Sequence, residues 1–318
     1  FRSSNVAFRE PESRADQTRM MSIVTTGPET GYYIDVFRSR KEQGGDKMHD
    51  YFYHNLGQTM TLTAADGTDL NLQPTEELAF AGAHLYAYSY LYDKKVAATD
   101  KDVKVTFTID MKDKDGDDIS MNLWMKGEPE REVFTALAPM TEGLSRIPGM
   151  PYNIKEQPTL TFVARQHGEA WNRPFVAVYE PSTRKEPSAI EAVSFFDAEE
   201  AGLKDFAGIC VESKNGRTDH IFSLSDSSQT ATYRGMKVKA DYAVISNEYA
   251  GNRTFFLGNG TQLITPDVSI RTSAAANVLL EQKQGKWYIL SSAPCTIMID
   301  GKNVQSGVTS KSTLLAVQ

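Results

Sequence analysis

Apolar and polar positions alternate with a period of two along most of the chain, and runs with helical spacing are scarce. A period of two sends successive side chains to opposite faces of a strand, so the pattern predicts an all-β protein. Residues 18–25 (TRMMSIVT) lead through Gly27-Pro28 into residues 32–37 (YYIDVF), a run rich in branched and aromatic side chains. Gly44-Gly45 then supplies a turn and residues 48–55 (MHDYFYHN) return, which predicts a hairpin. Residues 59–63 turn at Asp66-Gly67, a dipeptide suited to the positive φ angles of a primed turn, and resume at 70–72. Residues 83–91 (AHLYAYSYL) set Leu85, Ala87 and Ser89 against Tyr86, Tyr88 and Tyr90, which predicts another strand. Residues 103–109, 119–125, 159–164 and 175–179 complete this first block, with Gly and Pro at 147–151 marking a long loop.

From Pro181 the texture changes. Residues 181–187 (PSTRKEP) are turn-rich and charged, and residues 197–205 offer at most a short helix. Strand signals follow at 206–212, 219–224, 231–234, 242–247, 253–258, 269–272, 276–282, 286–290 and 296–299. A spacing of about ten residues with Gly, Asn and Asp turns predicts a small sandwich or β-roll. The expected organisation is a large antiparallel β-sandwich over residues 1–198, then a smaller C-terminal β-sandwich or β-roll domain over residues 199–318. Each is long enough to bury a core.

Composition narrows the function classes. No stretch approaches the ~20 apolar residues of a membrane-spanning helix. The formal charge of -7, with both signs interspersed, lacks the positive field that a nucleic-acid backbone requires. Cys210 and Cys295 have no CxxC pairing and no histidine close in sequence, so a structural zinc site is unsupported, and two buried free thiols are expected ahead of a disulfide. The chain opens FRSSNVAFRE with no initiator Met and no signal sequence, so Phe1 reads as a processing boundary with further sequence upstream.

Residues 31–57 hold the densest cluster of ionisable and aromatic side chains. On residues 48–55, His49, Tyr51 and Tyr53 share one face and Asp50, Phe52 and His54 the other, which opposes a metal held jointly by His49 and His54. The His49/Tyr51/Tyr53 face is left to meet a partner. Asp35 sits in an apolar strand, and a structural network with Arg38 or a histidine is favoured over direct catalysis. Arg165, His167, Trp171 and Arg173 read first as a solvated loop, and second as a surface whose guanidinium groups fit carboxylates. Tyr86, Tyr88, Tyr90, Tyr92, Trp124 and Trp171 suit packed sandwich faces better than a sugar-stacking platform. The acidic run 110–118 (DMKDKDGDD) fails the calcium-loop register, because Gly116 as sixth position puts Met111 first, so a solvated turn is expected. Asn259-Gly260-Thr261 is both a glycosylation triplet and a turn. Gly-x-Ser-x-Gly, Walker and His-Glu-x-x-His sequences are lacking, so no catalytic residue, metal ligand or cofactor is assigned.

The order of motifs resembles the second half of the heparinase II/III-like polysaccharide lyases, a bacterial family that includes oligo-alginate lyases. The residues that carry the likeness are Gly31-Tyr32-Tyr33-Ile34-Asp35-Val36-Phe37-Arg38, Gly44-Gly45, and His49-Asp50-Tyr51-Phe52-Tyr53-His54-Asn55-Leu56-Gly57. Residues 158–165 (PTLTFVAR) and 175–181 (FVAVYEP) support it. It covers roughly residues 18–198; the tail resembles the family's C-terminal β domain in texture alone. The resemblance implies an N-terminal α/α toroid followed by β-sandwich domains. It also implies cleavage of uronic-acid glycans by β-elimination, with a base taking the proton α to the carboxylate and an acid protonating the leaving oxygen. The family's catalytic Asn, His and Tyr lie in the toroid and its metal-binding His and Asp at the start of the sandwich. Neither region is in this chain, so none is carried over. The expectation is therefore one wall of a cleft for an acidic, uronic-acid-containing glycan in a secreted or periplasmic bacterial protein, with the toroid as missing partner and the chain inactive alone. Its substrate-binding candidates are His49, Tyr51, Tyr53, Arg165, His167 and Arg173; its structural candidates are Asp35, Arg38, Asp50 and His54. The rival expectation is a non-catalytic glycan-binding or structural β module of a bacterial surface protein, motivated by Tyr86, Tyr88, Trp124 and Trp171.

Overall fold

Branched and aromatic side chains at alternate positions hold the backbone extended, and the resulting strands are antiparallel throughout. The computed structural model describes residues 2–79, 83–111, 117–148, 156–248, 251–309 and 311–315. It forms two units, residues 2–188 and residues 189–318. No helix among the described residues is long and apolar enough to cross a membrane.

The strands of the first unit are β1 (Arg2–Arg9), β2 (Asp16–Thr25), β3 (Gly31–Arg40), β4 (Met48–Asn55), β5 (Thr59–Ala64), β6 (Gln73–Pro74), β7 (Tyr92–Ala98), β8 (Val103–Ile109), β9 (Ile119–Met125), β10 (Arg131–Ala138), β11 (Thr159–His167) and β12 (Ala170–Thr183). They make two sheets in the orders β1-β2-β3-β12-β9-β8-β5 and β4-β11-β10-β7-β6. The sheets enclose a core that includes Phe107, Leu123, Met125, Phe162 and Phe175. This is the expected sandwich.

Residues 31–57 do not form the expected hairpin. β3 pairs with β2 and β12 in one sheet, while β4 pairs with β11 in the other. The connection over residues 41–47 is long enough to cross the ~10 Å between packed sheets, so the aromatic faces bury one another instead of lying side by side. Phe37 and Tyr51 meet across the core with ring centroids 6.3 Å apart. Gly44 and Gly45 take φ of 90° and 74°, and the Lys41 amide donates to Asp46 Oδ1 at 2.6 Å, which closes the turn. β11 and β12 form a second such arch through Gly168, whose amide donates to the Lys47 carbonyl at 3.0 Å and ties the two arches together.

The strand expected over residues 83–91 is a 3-10 helix, Ala83–Tyr90. The run alternates but has no β-branched residue to hold it extended. Tyr88 and Leu91 instead pack with Phe52 against Leu78, Phe134 and Val163, covering part of the outer face of the second sheet.

The strands of the second unit are β13 (Ile190–Phe196), β14 (Phe206–Ser213), β15 (Thr218–Leu224), β16 (Ala231–Tyr233), β17 (Met236–Asn247), β18 (Arg253–Ile264), β19 (Val268–Lys283), β20 (Lys286–Ser291), β21 (Cys295–Ile299), β22 (Lys302–Ser306) and β23 (Thr313–Leu315). All belong to one sheet, with β16 attached to β17, and β21 and β22 attached through β19. Irregularities at Lys239/Ala240 and around Gly260 let the long central strands bend, and both halves contribute to one core. A Cβ on Gly260 would lie 2.3 Å from that of Ala240, so glycine permits the close approach. Cys210 and Cys295 are buried free thiols.

Candidate functional site

The alternation on β4 is kept, and the structure shows which face is which. His49, Tyr51 and Tyr53 point into the sandwich, and Asp50, Phe52 and His54 lie on its outer side. The face expected to meet a partner is thus interior: Tyr51 is 3% exposed, and the Tyr53 ring packs 4.9 Å from Tyr179 and 5.5 Å from Phe107. His49 holds Asp46 Oδ1 at 2.6 Å beside the arch.

A carboxylate in an apolar strand has to be paired. Asp35 accepts from Arg19 Nε at 2.9 Å and Nη2 at 2.5 Å, and from the Tyr51 hydroxyl at 2.6 Å. The Tyr51 and Tyr179 hydroxyls also hydrogen-bond each other. Burial first, then the neighbouring Tyr179 and Asp35 oxygens, pushes Tyr51 well above the usual tyrosine range; burial and Asp35 do the same to Tyr179. Both phenols therefore stay neutral at ordinary pH. The Asp35 hydrogen bonds raise Arg19. Asp35's partner is thus Arg19, and Arg38, an odd number of residues away on β3, is buried on the opposite face.

On the outer face of the second sheet, Arg165 on β11 lies opposite Asp50 on β4. Its Nε and Nη2 reach the two Asp50 oxygens at 2.8 and 2.9 Å, its Nη1 reaches Glu77 at 3.2 Å, and Phe134 lies 5.3 Å beneath it. Tyr88 donates to Asp50 at 2.7 Å. Burial opposes the Arg165 charge, but Asp50 outweighs it and holds the guanidinium above its usual range; burial, then Asp50, raises Tyr88. His54 stacks on Phe52 and sits 2.9 Å from Thr161 Oγ1, and partial burial lowers it. His167, with its side chain 44% exposed, pairs with Glu132 at 2.8 Å.

Arg131 belongs to the same end of the sandwich and was not a candidate from sequence. It is 2% exposed, donates to the Lys126, Arg173 and Pro174 carbonyls at 2.8, 3.2 and 3.3 Å and to Gln166 at 3.1 Å, and lies over Phe175. Burial brings it down to about 10. The one available signal was an arginine opening a strand whose later residues on both faces, Val133, Phe134, Ala136 and Leu137, are apolar. Arg173 donates to the His167 carbonyl at 2.8 Å, and Arg40 of β3 lies 4.2 Å from the Trp171 ring. The expected solvated loop is thus the adjoining ends of β11 and β12, with Arg165 buried. Trp124 is buried under Lys104, while Tyr90 and Tyr92 are exposed. The Tyr86 side chain and residues 112–116 of the acidic run lie outside the described set; Asp117 and Asp118 are held by the Lys185 amide and Arg184.

Asp35 and Asp50 of the first unit are thus closed on Arg19, Tyr51, Arg165 and Tyr88. Among the described residues no three His, Cys, Asp or Glu side chains group as metal ligands. In the second unit, Cys210 and His220 lie 3.8 Å apart, with burial pushing the thiol up to about 11 and the imidazole down, so they form a neutral pair and not a nucleophile with its base. Beside Tyr92, two adjoining cavities of about 490 and 360 Å³ share Asp93 and are lined by residues that include Glu76, Lys94, Gln58, Leu72 and Lys95.

Residues 193–282 match the family described as the endo-acting ulvan lyase C-terminal domain, which relates this β-sandwich chain to the polysaccharide lyases. A particular relative adds to that: over 246 residues, 75% of this chain, it is 32% identical to an endo-acting ulvan lyase of Formosa agariphila. The match takes in 28% of that protein's length, so the chain spans little more than a quarter of the relative.

Proposed function

We propose that the chain is the C-terminal β-sandwich portion of a lyase that cleaves an ulvan-type, uronic-acid-containing polysaccharide by β-elimination. The reacting groups belong to the remainder of that protein. The observation that carries this reading is the 246-residue similarity to an endo-acting ulvan lyase. The geometry agrees with a supporting role, because Asp35, Asp50 and Arg165 are committed to internal hydrogen bonds. A heparinase II/III-like arrangement, with a toroid ahead of the sandwich and a secreted or periplasmic location, is part of the proposal. Its support is the motif over residues 31–57 and 158–181, whose strands are the two arches.

β-Elimination yields an unsaturated uronate that absorbs in the ultraviolet, so incubation with ulvan and other uronic-acid polymers tests the reading. The full-length gene product is expected to form this chromophore and the 318-residue chain to form none. Robust product from the chain alone would overturn the supporting role. Exposed Tyr92, which lines one of the cavities, favours a second reading, a module that only binds glycans. Affinity electrophoresis separates the two: salt-sensitive retardation by acidic polymers supports a lyase wall, and preference for neutral polymers supports the module.

A further inference from the structure

The first sheet has seven strands and the second five, and the excess lies beside β4. β4 covers β3 through the Tyr51–Asp35 bond and reaches β2 as far as Arg19, whose guanidinium lies 5.7 Å from the Tyr51 ring. Beyond that point β2 and β1 overhang. The register places Tyr33, Ile23 and Arg2 in one row, Met21 and Ser4 in the next, then Arg19 and Val6, then Gln17 and Phe8, all on the face that is interior elsewhere. Five of these are large apolar side chains left in solvent: Val6 at 57%, Phe8 at 53%, Met21 at 47%, Ile23 at 42% and Tyr33 at 39%. β1 is also an edge strand with neither lysine nor proline to guard it.

Contiguous apolar faces of this kind mark association surfaces. Arg19, in the middle of the patch, already has its fork on Asp35, so apart from Arg2 at one corner the face offers apolar area and not charge. An acidic glycan is therefore the wrong occupant, and an apolar protein surface the right one. The matched relative carries nearly three quarters of its length outside the matched region, so a longer polypeptide of this kind has the residues to form such a surface. We propose that the overhanging face of β1 and β2 seats the remainder of the lyase polypeptide, an inference that rests on the function proposed above.

Two adjacent methionines make the test. Met20 is 3% exposed on one face of β2, and Met21 is 47% exposed on the overhang. Dilute peroxide and peptide mass spectrometry on the 318-residue chain should show Met21 oxidising about tenfold faster than Met20. In the full-length gene product Met21 should slow to the Met20 rate. Ile23→Lys in that product should restore fast oxidation of Met21 while Met20 stays slow, which shows the strand still folded. Equal Met21 rates in the short and full-length proteins would overturn the inference, as would a gene product no longer than this chain. So would a dimer of the 318-residue chain, seen by sedimentation, in which Met21 is protected, because the occupant is then a second copy. None of these readings depends on substrate: a protected Met21 with no ultraviolet product would sink the lyase reading and leave the seat standing.

Discussion

The two units solve one problem, holding two β layers over a core, by different means. In the second unit the layers are parts of one sheet, so the ladder of main-chain hydrogen bonds runs from one to the other and glycine at the bend supplies the shape. Its buried charges link neighbours within that sheet: Arg217 bonds Asp219 at 2.9 Å and Glu248 at 3.0 Å. In the first unit the layers are separate sheets, and among the described residues no ladder joins them. Buried polar side chains do so instead, with Tyr51 reaching Asp35 and Arg131 reaching the β12 backbone. Where main-chain bonding is interrupted, charged and phenolic groups fix the relative position of the layers, since apolar packing alone tolerates sliding.

The largest expected effect tests that claim at Arg131. Arg131→Met leaves three carbonyls, that of Pro174 fully buried, without their donor and should lower the stability of the first unit by ~3 kcal/mol, read from urea unfolding resolved by hydrogen exchange. An equal loss in the second unit would break the comparison. Gly260→Val should do the converse, costing ~2–3 kcal/mol in the second unit alone, because the added side chain meets Ala240 and the Lys239 carbonyl. Tyr51→Phe comes next at ~2 kcal/mol, the worth of a buried bond to a charged carboxylate.

Alkaline titration sharpens the same variant. Tyr51 and Tyr179 are raised in the folded state, so above pH ~10 the folded protein holds more protons than the unfolded one and stability falls as pH rises. Their contribution is intact below that pH, and Tyr51→Phe should make the fall shallower between pH 10 and 11. Arg131 works in the other direction: lowered to about 10, its buried charge costs stability below that pH, and the cost is relieved above it. The smallest effect is Tyr88→Phe at ~1 kcal/mol, since Asp50 keeps both Arg165 bonds and Tyr88 is half-buried.

Much of the architecture could be read from residue alternation, because a period of two survives wherever one face is buried. The pairing could not. Gly44-Gly45 reverses the chain equally well into a hairpin or an arch, and the choice was made by β11 and β12, far away in sequence. For the same reason the inner face of β4 was taken for the outer one: Tyr51 looks polar in sequence, and only Asp35 in the opposite sheet makes its hydroxyl a core group. The apolar strand around Asp35 implies a partner for its carboxylate, but Arg19 is reached across β2 and β3, not along the strand. Residues 83–91 show the converse failure, where alternation without branched side chains gave no strand. The tail, legible only as texture, is where the family match falls.

The arches also set the order in which this chain can fold. β3 can pair early with β2, but its other edge and all of β4 wait for strands made far later: Asp50 meets Arg165 of β11 across 115 residues, and Tyr51 meets Tyr179 of β12, the strand that closes β3, across 128. Contacts so distant must be bought with loop-closure entropy before they return anything, which places the first unit among slow folders. A ribosome adding some 5–20 residues each second leaves β3 and β4 without those partners for roughly 5–25 s. Through that interval the apolar run of β3 is open to any chaperone or export factor that binds extended chain.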